Sequence, residues 1–409
     1  MPNPDEDMQG SMAAHKAGRF ADAEAGYQRV LRARPEDPKA LYYLGLLHFH
    51  RGDTTVAIDL VRRSLARAPS TAAAWNTLGG LYIAIGNTGD AREAYRRMTQ
   101  VAPSLGEGWY NLGICLRDEG DVDGALSALQ TSVEREPGFF RSYEALATLL
   151  YRAGRTSEAA GVYSDWARLD PENPTARHMA AATSQQDVPA RAADDYVRAL
   201  FDESAKSFDE DLTRLGYRAP TLLADALTQL ASERSPSRGL EYRVLCDAGC
   251  GTGLCGPLVR GLCGRLVGID LSPQMIDRAR ARKCYDELQV VELSAFMRAK
   301  ARVFDAIVCA DTLVYFGALE EALQSMRQAL TPGGVLVFTL EALDPEHAAD
   351  DFRLEAHGRY AHSAAYVDRA LTEAGFEVLS LSVETLREER DQPVEGFVVV
   401  ASGGPYSRQ

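Results

Sequence analysis

Apolar positions in the first part of the chain recur at helical spacing, and the spacing itself repeats every 34 residues. One unit reads Trp75, Leu78, Gly79, Tyr82, then Ala91, Tyr95 and Pro103. The next reads Trp109, Leu112, Gly113, then Ala125, Leu129 and Pro137. Glycine holds register at Gly18, Gly52, Gly86, Gly120 and Gly154, alanine at Ala23, Ala57, Ala91, Ala125 and Ala159, and proline at Pro35, Pro69, Pro103, Pro137 and Pro171. Each type has a physical task. Glycine turns the chain between two helices. Alanine lets the helices approach, and proline ends the second one. The pattern predicts five helical hairpins over residues 4–173. Stacking them buries faces that a single hairpin leaves open, and creates a curved groove.

The unit at 75–103 resembles the tetratricopeptide repeat, with its W-x-x-L-G-x-x-Y, A-x-x-x-F and P positions. In the first unit Ser11 and Ala14 stand where Gly and Tyr are usual, as befits a terminal repeat. The resemblance implies that the concave groove takes a protein or peptide partner. A scaffold that serves only assembly is the plainer alternative.

Beyond Pro171 the register stops. Pro174 and Pro189 bracket a helical stretch, 175–185, expected to cap the solenoid. A second helical region comes next, with aromatics at Tyr196, Phe201, Phe208 and Tyr217, and 174–232 is read as cap, linker and active-site lid. A polar loop is expected at 232–239. From Tyr242 the pattern alternates strand and helix: Y-R-V-L-C-D, L-V-G-I-D, L-Q-V-V-E-L, F-D-A-I-V-C-A-D and V-L-V-F-T-L, then a closing hairpin of F-E-V-L-S-L-S-V and G-F-V-V-V-A. The fold expected is therefore an α superhelix followed, over 233–405, by an α/β domain with a mostly parallel, seven-stranded sheet.

The first strand runs into D-A-G-C-G-T-G, a glycine turn where such sheets bind ligands. It is not G-x-G-x-x-G, since the sixth position is Leu254, and no G-K-[ST] phosphate loop is present. Asp270 ends the second strand, placed to accept hydrogen bonds from ribose hydroxyls. The set from about 242 to 402 resembles the Rossmann-like core of class I S-adenosylmethionine-dependent methyltransferases. That resemblance implies S-adenosylmethionine as cofactor. Asp247 would hold the methionine amino end, and Gly249, Gly251 and Gly253 would bring the backbone against the methionine moiety. Asp270, with Leu271 after it, would take the ribose. Glu292 and Leu293 would contact adenine. Ala310 and Asp311 would border the sulfonium and the acceptor. D-T-L-V-Y-F-G and H-G-R-Y-A-H-S-A-A-Y look like the branch in which tetratricopeptide repeats precede the methyltransferase.

Methyl transfer needs a general base only where the acceptor atom carries a proton. Asp311 and His362 are the candidate catalytic residues, with His357 a further imidazole nearby. Tyr315 and Phe316 are candidate cavity walls. No N-P-P-Y tetrad follows the fourth strand, which marks down amino-methylation of adenine or glutamine, and no Pro-Cys pair suits a cytosine carbon.

Charge and cysteine content narrow the classes. The formal charge is −14 and neither half carries a basic excess, which disfavours nucleic acid. No apolar run reaches membrane-spanning length, and the acidic start lacks a secretory pattern. The seven cysteines show no zinc spacing and suit a reducing, cytoplasmic setting. The leading expectation is a methyltransferase whose repeats recruit a partner or substrate protein. Alternatives are a small-molecule O- or N-methyltransferase with repeats used for assembly, and a cofactor-binding scaffold without catalysis.

Overall fold

Gly18, Gly52, Gly86, Gly120 and Gly154 all adopt positive φ, between 72° and 88°, at the turns between paired helices. A side chain there would strain the turn. The computed structural model describes residues 3–234, 242–347, 349–389 and 392–404, with Arg234 described in backbone only. Most of the polar loop expected at 232–239 lies outside the described residues. Contacts divide the chain into two units, Met1–Leu169 and Asp170–Gln409.

Among the described residues the first unit consists of ten helices, from Pro4–Lys16 to Thr156–Leu169. The five register alanines are all fully buried, which is how the paired helices come close. At position 79 an added Cβ would meet the Tyr95 ring at 2.5 Å, so glycine makes room for the aromatic of the partner helix. Trp75 Nε1 donates to the Pro69 carbonyl at 2.7 Å, and Trp109 repeats the bond to Pro103 at 3.0 Å. The first repeat is altered, and the alteration is compensated. Ser11 is buried, and its hydroxyl occupies the space that a Cβ on Gly26 would need.

The second unit is built on one sheet. Its strands are β1 Tyr242–Ala248, β2 Cys263–Asp270, β3 Glu287–Val290, β4 Phe304–Cys309, β5 Leu330–Ala342, β6 Phe352–Leu354, β7 Tyr360–His362, β8 Glu377–Glu389 and β9 Gln392–Ser402. β3, β2, β1, β4 and β5 lie side by side and parallel. β9 runs antiparallel along β5 from Val335 to Glu341, and β8 pairs antiparallel with β9, giving the expected hairpin. Among the described residues there are two more strands than the seven expected. β7 adds in parallel to Glu341 and Ala342 at the end of β5, and β6 pairs with β7. Three residues are too few for a periodic signal, so neither was legible.

Apolar residues cover both faces, as parallel strands require. Leu227, Leu245, Leu266 and Val308 share one cluster, and Phe296, Ile307, Leu323 and Phe338 the other. The helix Pro174–Ser184 belongs to this second unit. His178 Nε2 bonds the Gly358 carbonyl at 2.9 Å, and its ring stacks on Tyr196 with centroids 4.0 Å apart. Strand order reverses between β1 and β4, which opens a crevice at the carboxyl ends of the strands.

Candidate functional site

The crevice begins where β1 ends. Gly249, Gly251 and Gly253 have φ of 74°, 53° and 84°. At Gly249 a Cβ would lie 2.0 Å from Thr312 Oγ1, so the loop closes against the segment after β4 only because the side chain is missing. At Gly251 the nearest atom to a Cβ is 3.9 Å away, leaving that backbone open.

Asp270 fixes this loop. One carboxylate oxygen accepts from the Gly251 N–H at 2.8 Å and the other from the Ser272 N–H at 2.8 Å. Burial raises its pKa, and these backbone bonds oppose the rise. Asp247 lies beneath the loop, 1% exposed. Its Oδ2 accepts from the Tyr285 hydroxyl at 2.6 Å, while Oδ1 is buried with no hydrogen-bond partner among the described residues. Burial pushes this carboxyl up to about 7. Glu292 is more committed than its sequence position suggests. It caps the helix Leu293–Arg298 by accepting from Ser294 N and Ala295 N, and it pairs with Arg191 at 3.2 Å.

A cavity of about 1300 Å³, including the part open to solvent, runs along these strand ends. Of the candidate residues, Gly249, Gly251, Asp270, Leu271, Glu292, Leu293, Ala310 and Asp311 line it; Asp247 and Gly253 lie behind the lining. Tyr315 and Phe316 also line it, as expected of walls, together with Phe201, Phe208 and Tyr217 from the helical segment. That segment is tied to the glycine loop. Asp209 accepts from the Thr252 hydroxyl and, at 2.6 Å, from Arg282, whose Nε donates to the Thr252 carbonyl. Asp202 accepts from the Ser272 hydroxyl. At its far end Arg218 N donates to the Leu386 carbonyl, and Glu388 N to that of Leu215.

His362, a candidate base by sequence, is instead fully buried in β7 and does not line the cavity. Its Nε2 lies 2.9 Å and 3.1 Å from the Phe316 and Gly317 carbonyls and therefore carries the proton. Burial pulls its pKa down to about 4, and its ring stacks on Tyr366. It holds the turn after β4 against β7. His357 lies 3.4 Å from Glu341 and is also absent from the lining.

Asp311 does line the cavity, in a left-handed conformation (φ 46°) unusual for a residue with a side chain. Oδ1 accepts from the Thr339 hydroxyl at 2.6 Å and Oδ2 from Arg387 at 3.0 Å. Arg387 also donates to Glu341 and, at 2.7 Å, to Glu389. Arg359 bonds the same two glutamates at 2.5 and 2.6 Å. This buried charge cluster, Tyr285, and the Asp209–Arg282 tie were not singled out from the sequence. No local motif marks them, because each joins segments far apart in the chain. Among the described residues no group of acidic, His and Cys side chains suits a metal, and no helix is long and apolar enough to cross a membrane.

Comparison with known proteins assigns families to both units. The family described as Methyltransferase domain matches residues 246–338. The family described as Tetratricopeptide repeat matches 11–72, 52–105, 76–134 and 110–174. A malonyl-[acyl-carrier protein] O-methyltransferase of Enterobacter lignolyticus (strain SCF1) is 36% identical over 121 residues, 30% of this chain and 45% of the relative. A mitochondrial ubiquinone biosynthesis O-methyltransferase of Rattus norvegicus is 29% identical over 124 residues, 29% of this chain and 36% of the relative. The chain thus spans less than half the length of either relative. A crystal structure of MamA protein aligns with 20% identity and a TM-score of 0.38, covering 46% of this chain and 96% of that one. The chain carries tetratricopeptide repeats followed by a methyltransferase domain.

Proposed function

We propose that the protein is an S-adenosylmethionine-dependent methyltransferase whose repeats, in an N-terminal unit of residues 4–173, recruit a partner or substrate protein. The observation that carries the cofactor assignment is the orphaned Oδ1 of Asp247, buried under three left-handed glycines beside the Asp270 carboxylate. A buried carboxylate oxygen without a partner is costly unless a ligand satisfies it. The amino group of S-adenosylmethionine fits that need. In this reading the open backbone at Gly251 faces the methionine moiety. Asp270 and Leu271 hold the ribose, and Asp270 has lone pairs left after its two backbone bonds. Glu292 and Leu293 border the adenine, and Ala310 and Asp311 face the acceptor. The cofactor supplies an electrophilic methyl group; the protein's own part is orientation and exclusion of water. The lid residues Phe201, Phe208 and Tyr217 serve the second task.

Asp247 gives a pH signature. Burial pushes its carboxyl up to about 7, and a cation at Oδ1 favours the ionised form. Affinity for S-adenosylmethionine is expected to rise with pH up to about 7 and to level off above it. Calorimetry at pH 6 in buffers of different ionisation enthalpy is expected to register net proton release. Binding without proton release would detach Asp247 from the amino group.

A second expectation concerns modularity. Residues 170–409 form a unit by contact and contain every lining residue of the cavity. Expressed alone, that stretch is expected to bind S-adenosylmethionine within about threefold of the full chain, a difference under about 0.7 kcal/mol. A folded fragment with no affinity would tie cofactor binding to the repeats.

The cavity walls favour a second reading for the acceptor. Phe201, Phe208, Leu212, Val314 and Tyr315 enclose an apolar space under the lid, the setting of a small-molecule acceptor. Release of label from S-adenosylmethionine into the protein or small-molecule fraction of a lysate separates the two. The relatives named above are O-methyltransferases, and oxygen is accordingly the acceptor atom proposed here.

A further inference from the structure

Three glycines make room for one aromatic ring beneath the cavity. Tyr285 lies between the helix Pro273–Ala281 and β3, half-buried. A Cβ added at Gly253, in the loop after β1, would stand 2.9 Å from its ring. At Gly256, which opens the helix Gly256–Val259, the distance would be 2.8 Å, and at Gly268 in β2 it would be 2.9 Å. Cys284 and Leu288 crowd the last two positions as well. A side chain at any of the three would push against the ring. Gly253 also lies behind the lining of the cavity, so its missing side chain serves Tyr285 rather than a ligand.

The ring brings one polar atom into this space. The Tyr285 hydroxyl donates to Oδ2 of Asp247 at 2.6 Å, and Oδ1 is the oxygen left without a partner. A carboxylate is planar, so holding one oxygen fixes the direction of the other. Burial and the neighbouring Asp247 push the Tyr285 phenol up, so it keeps its proton and remains the donor. Burial raises the Asp247 carboxyl, the Tyr285 bond opposes the rise, and the charge of Asp270 adds to it. The other titratable groups around Asp247 are the thiols of Cys246, Cys250, Cys255, Cys284 and Cys309 and the phenol of Tyr217. Burial pushes all of them up and leaves them neutral at pH 7.

We infer that Tyr285 is a positioning residue for the cofactor: by holding Oδ2 of Asp247 it aims Oδ1 at the amino group of S-adenosylmethionine, and Gly253, Gly256 and Gly268 seat its ring for that purpose. The inference rests on the cofactor reading given above. It assigns a task to a residue outside the glycine motif, and it gives Gly253 a task other than contact with the methionine moiety. Without the hydroxyl the Asp247 carboxyl rises further and stays protonated at a pH where the natural chain already offers a charge. Affinity is then lost at low pH and regained at high pH.

The test is calorimetry on the full chain and on Tyr285→Phe with two ligands. S-adenosylhomocysteine carries the amino group, and 5′-methylthioadenosine lacks the whole amino-acid tail. For a rise of about one pKa unit, Tyr285→Phe is expected to bind S-adenosylhomocysteine about tenfold more weakly at pH 6 and within about twofold of the natural chain at pH 8.5. The ligand's own titration cancels in that ratio. Affinity for 5′-methylthioadenosine is expected to be unchanged at both pH values. An equal loss of S-adenosylhomocysteine affinity at pH 6 and pH 8.5, no loss at either, or a matching loss with 5′-methylthioadenosine would overturn the inference. Placing 3-fluorotyrosine at 285 keeps the ring and makes the hydroxyl a stronger donor, so affinity for S-adenosylhomocysteine is expected to gain at pH 6 and not at pH 8.5. This variant decides the matter if Tyr285→Phe does not fold, and absence of the gain counts against Tyr285. If neither ligand binds the natural chain, the cofactor reading has failed instead.

Discussion

Asp270→Ala is expected to weaken S-adenosylmethionine binding by about 2–4 kcal/mol, from hydrogen bonds to a charged acceptor worth roughly 1.5–3 kcal/mol each. Two losses add. The first is direct: the carboxylate oxygens would no longer accept from ribose. The second acts through the loop. Asp270 holds Gly251 N and Ser272 N at 2.8 Å each, so the open backbone stretch and the start of the helix Pro273–Ala281 lose their common anchor. Asp270→Asn separates these losses. Its amide keeps one acceptor oxygen but sets an NH2 against one of the two backbone N–H groups, so an intermediate loss is expected. Calorimetry measures both variants, and far-UV circular dichroism checks that they are folded. An Asp270→Ala protein that binds within threefold of the natural chain would remove Asp270 from the site.

What the sequence revealed depends on how locally each feature is built. The repeats were legible because every contact that defines them recurs within one unit: Gly79 against Tyr95, Trp75 on the Pro69 carbonyl, the buried alanines. β1, β2, β4 and the V-L-V-F-T-L run of β5 were legible because strands covered on both faces are nearly unbroken apolar runs, whereas β3, a half-exposed edge strand with Glu287 and Gln289, was legible from its place in the alternation of strand and helix. The glycine loop and Asp270 were legible because they come at strand ends in order. His362 was not. Its place in the chain, between the fifth strand and the closing hairpin, fits a cavity position, but three residues of β7 add to β5 and seal its ring under Phe316 and Gly317. Arg387 and Glu389 were missed for the opposite reason. L-R-E-E-R reads as a solvated edge, yet the end of β8 lies over Asp311 and Glu341, and the charges are buried by one another's company.

That cluster sets the second large expectation. Arg387→Met is expected to destabilise the second unit by about 3–5 kcal/mol, the usual cost of leaving buried partners of an ion pair uncompensated. The Arg387 side chain is 5% exposed and joins Asp311, Glu341 and Glu389. Glu341 and Glu389 retain Arg359, whereas Asp311 keeps only the Thr339 hydroxyl. The pH dependence has a definite sign. In the natural chain Glu341 has its pKa lowered from 4.5 to about 2, so its contribution is full above about 4.5 and is lost as pH falls toward 2. Asp311 runs the other way: its pKa is raised even with Arg387 present, so the folded state binds its proton more tightly than the unfolded state. Without Arg387 that pKa rises further. The deficit of Arg387→Met is therefore expected to be largest near pH 8 and to shrink toward pH 5, as Asp311 takes up a proton and the uncompensated charge disappears. Adding Asp311→Asn to Arg387→Met is expected to recover part of the loss at pH 8 and little at pH 5. Urea melts followed by circular dichroism register both units. Tryptophan fluorescence serves as the internal control, since Trp75, Trp109 and Trp166 all lie in the repeats and their transition is expected not to move. A deficit that is the same at both pH values would mean that Arg387 contributes packing rather than charge balance.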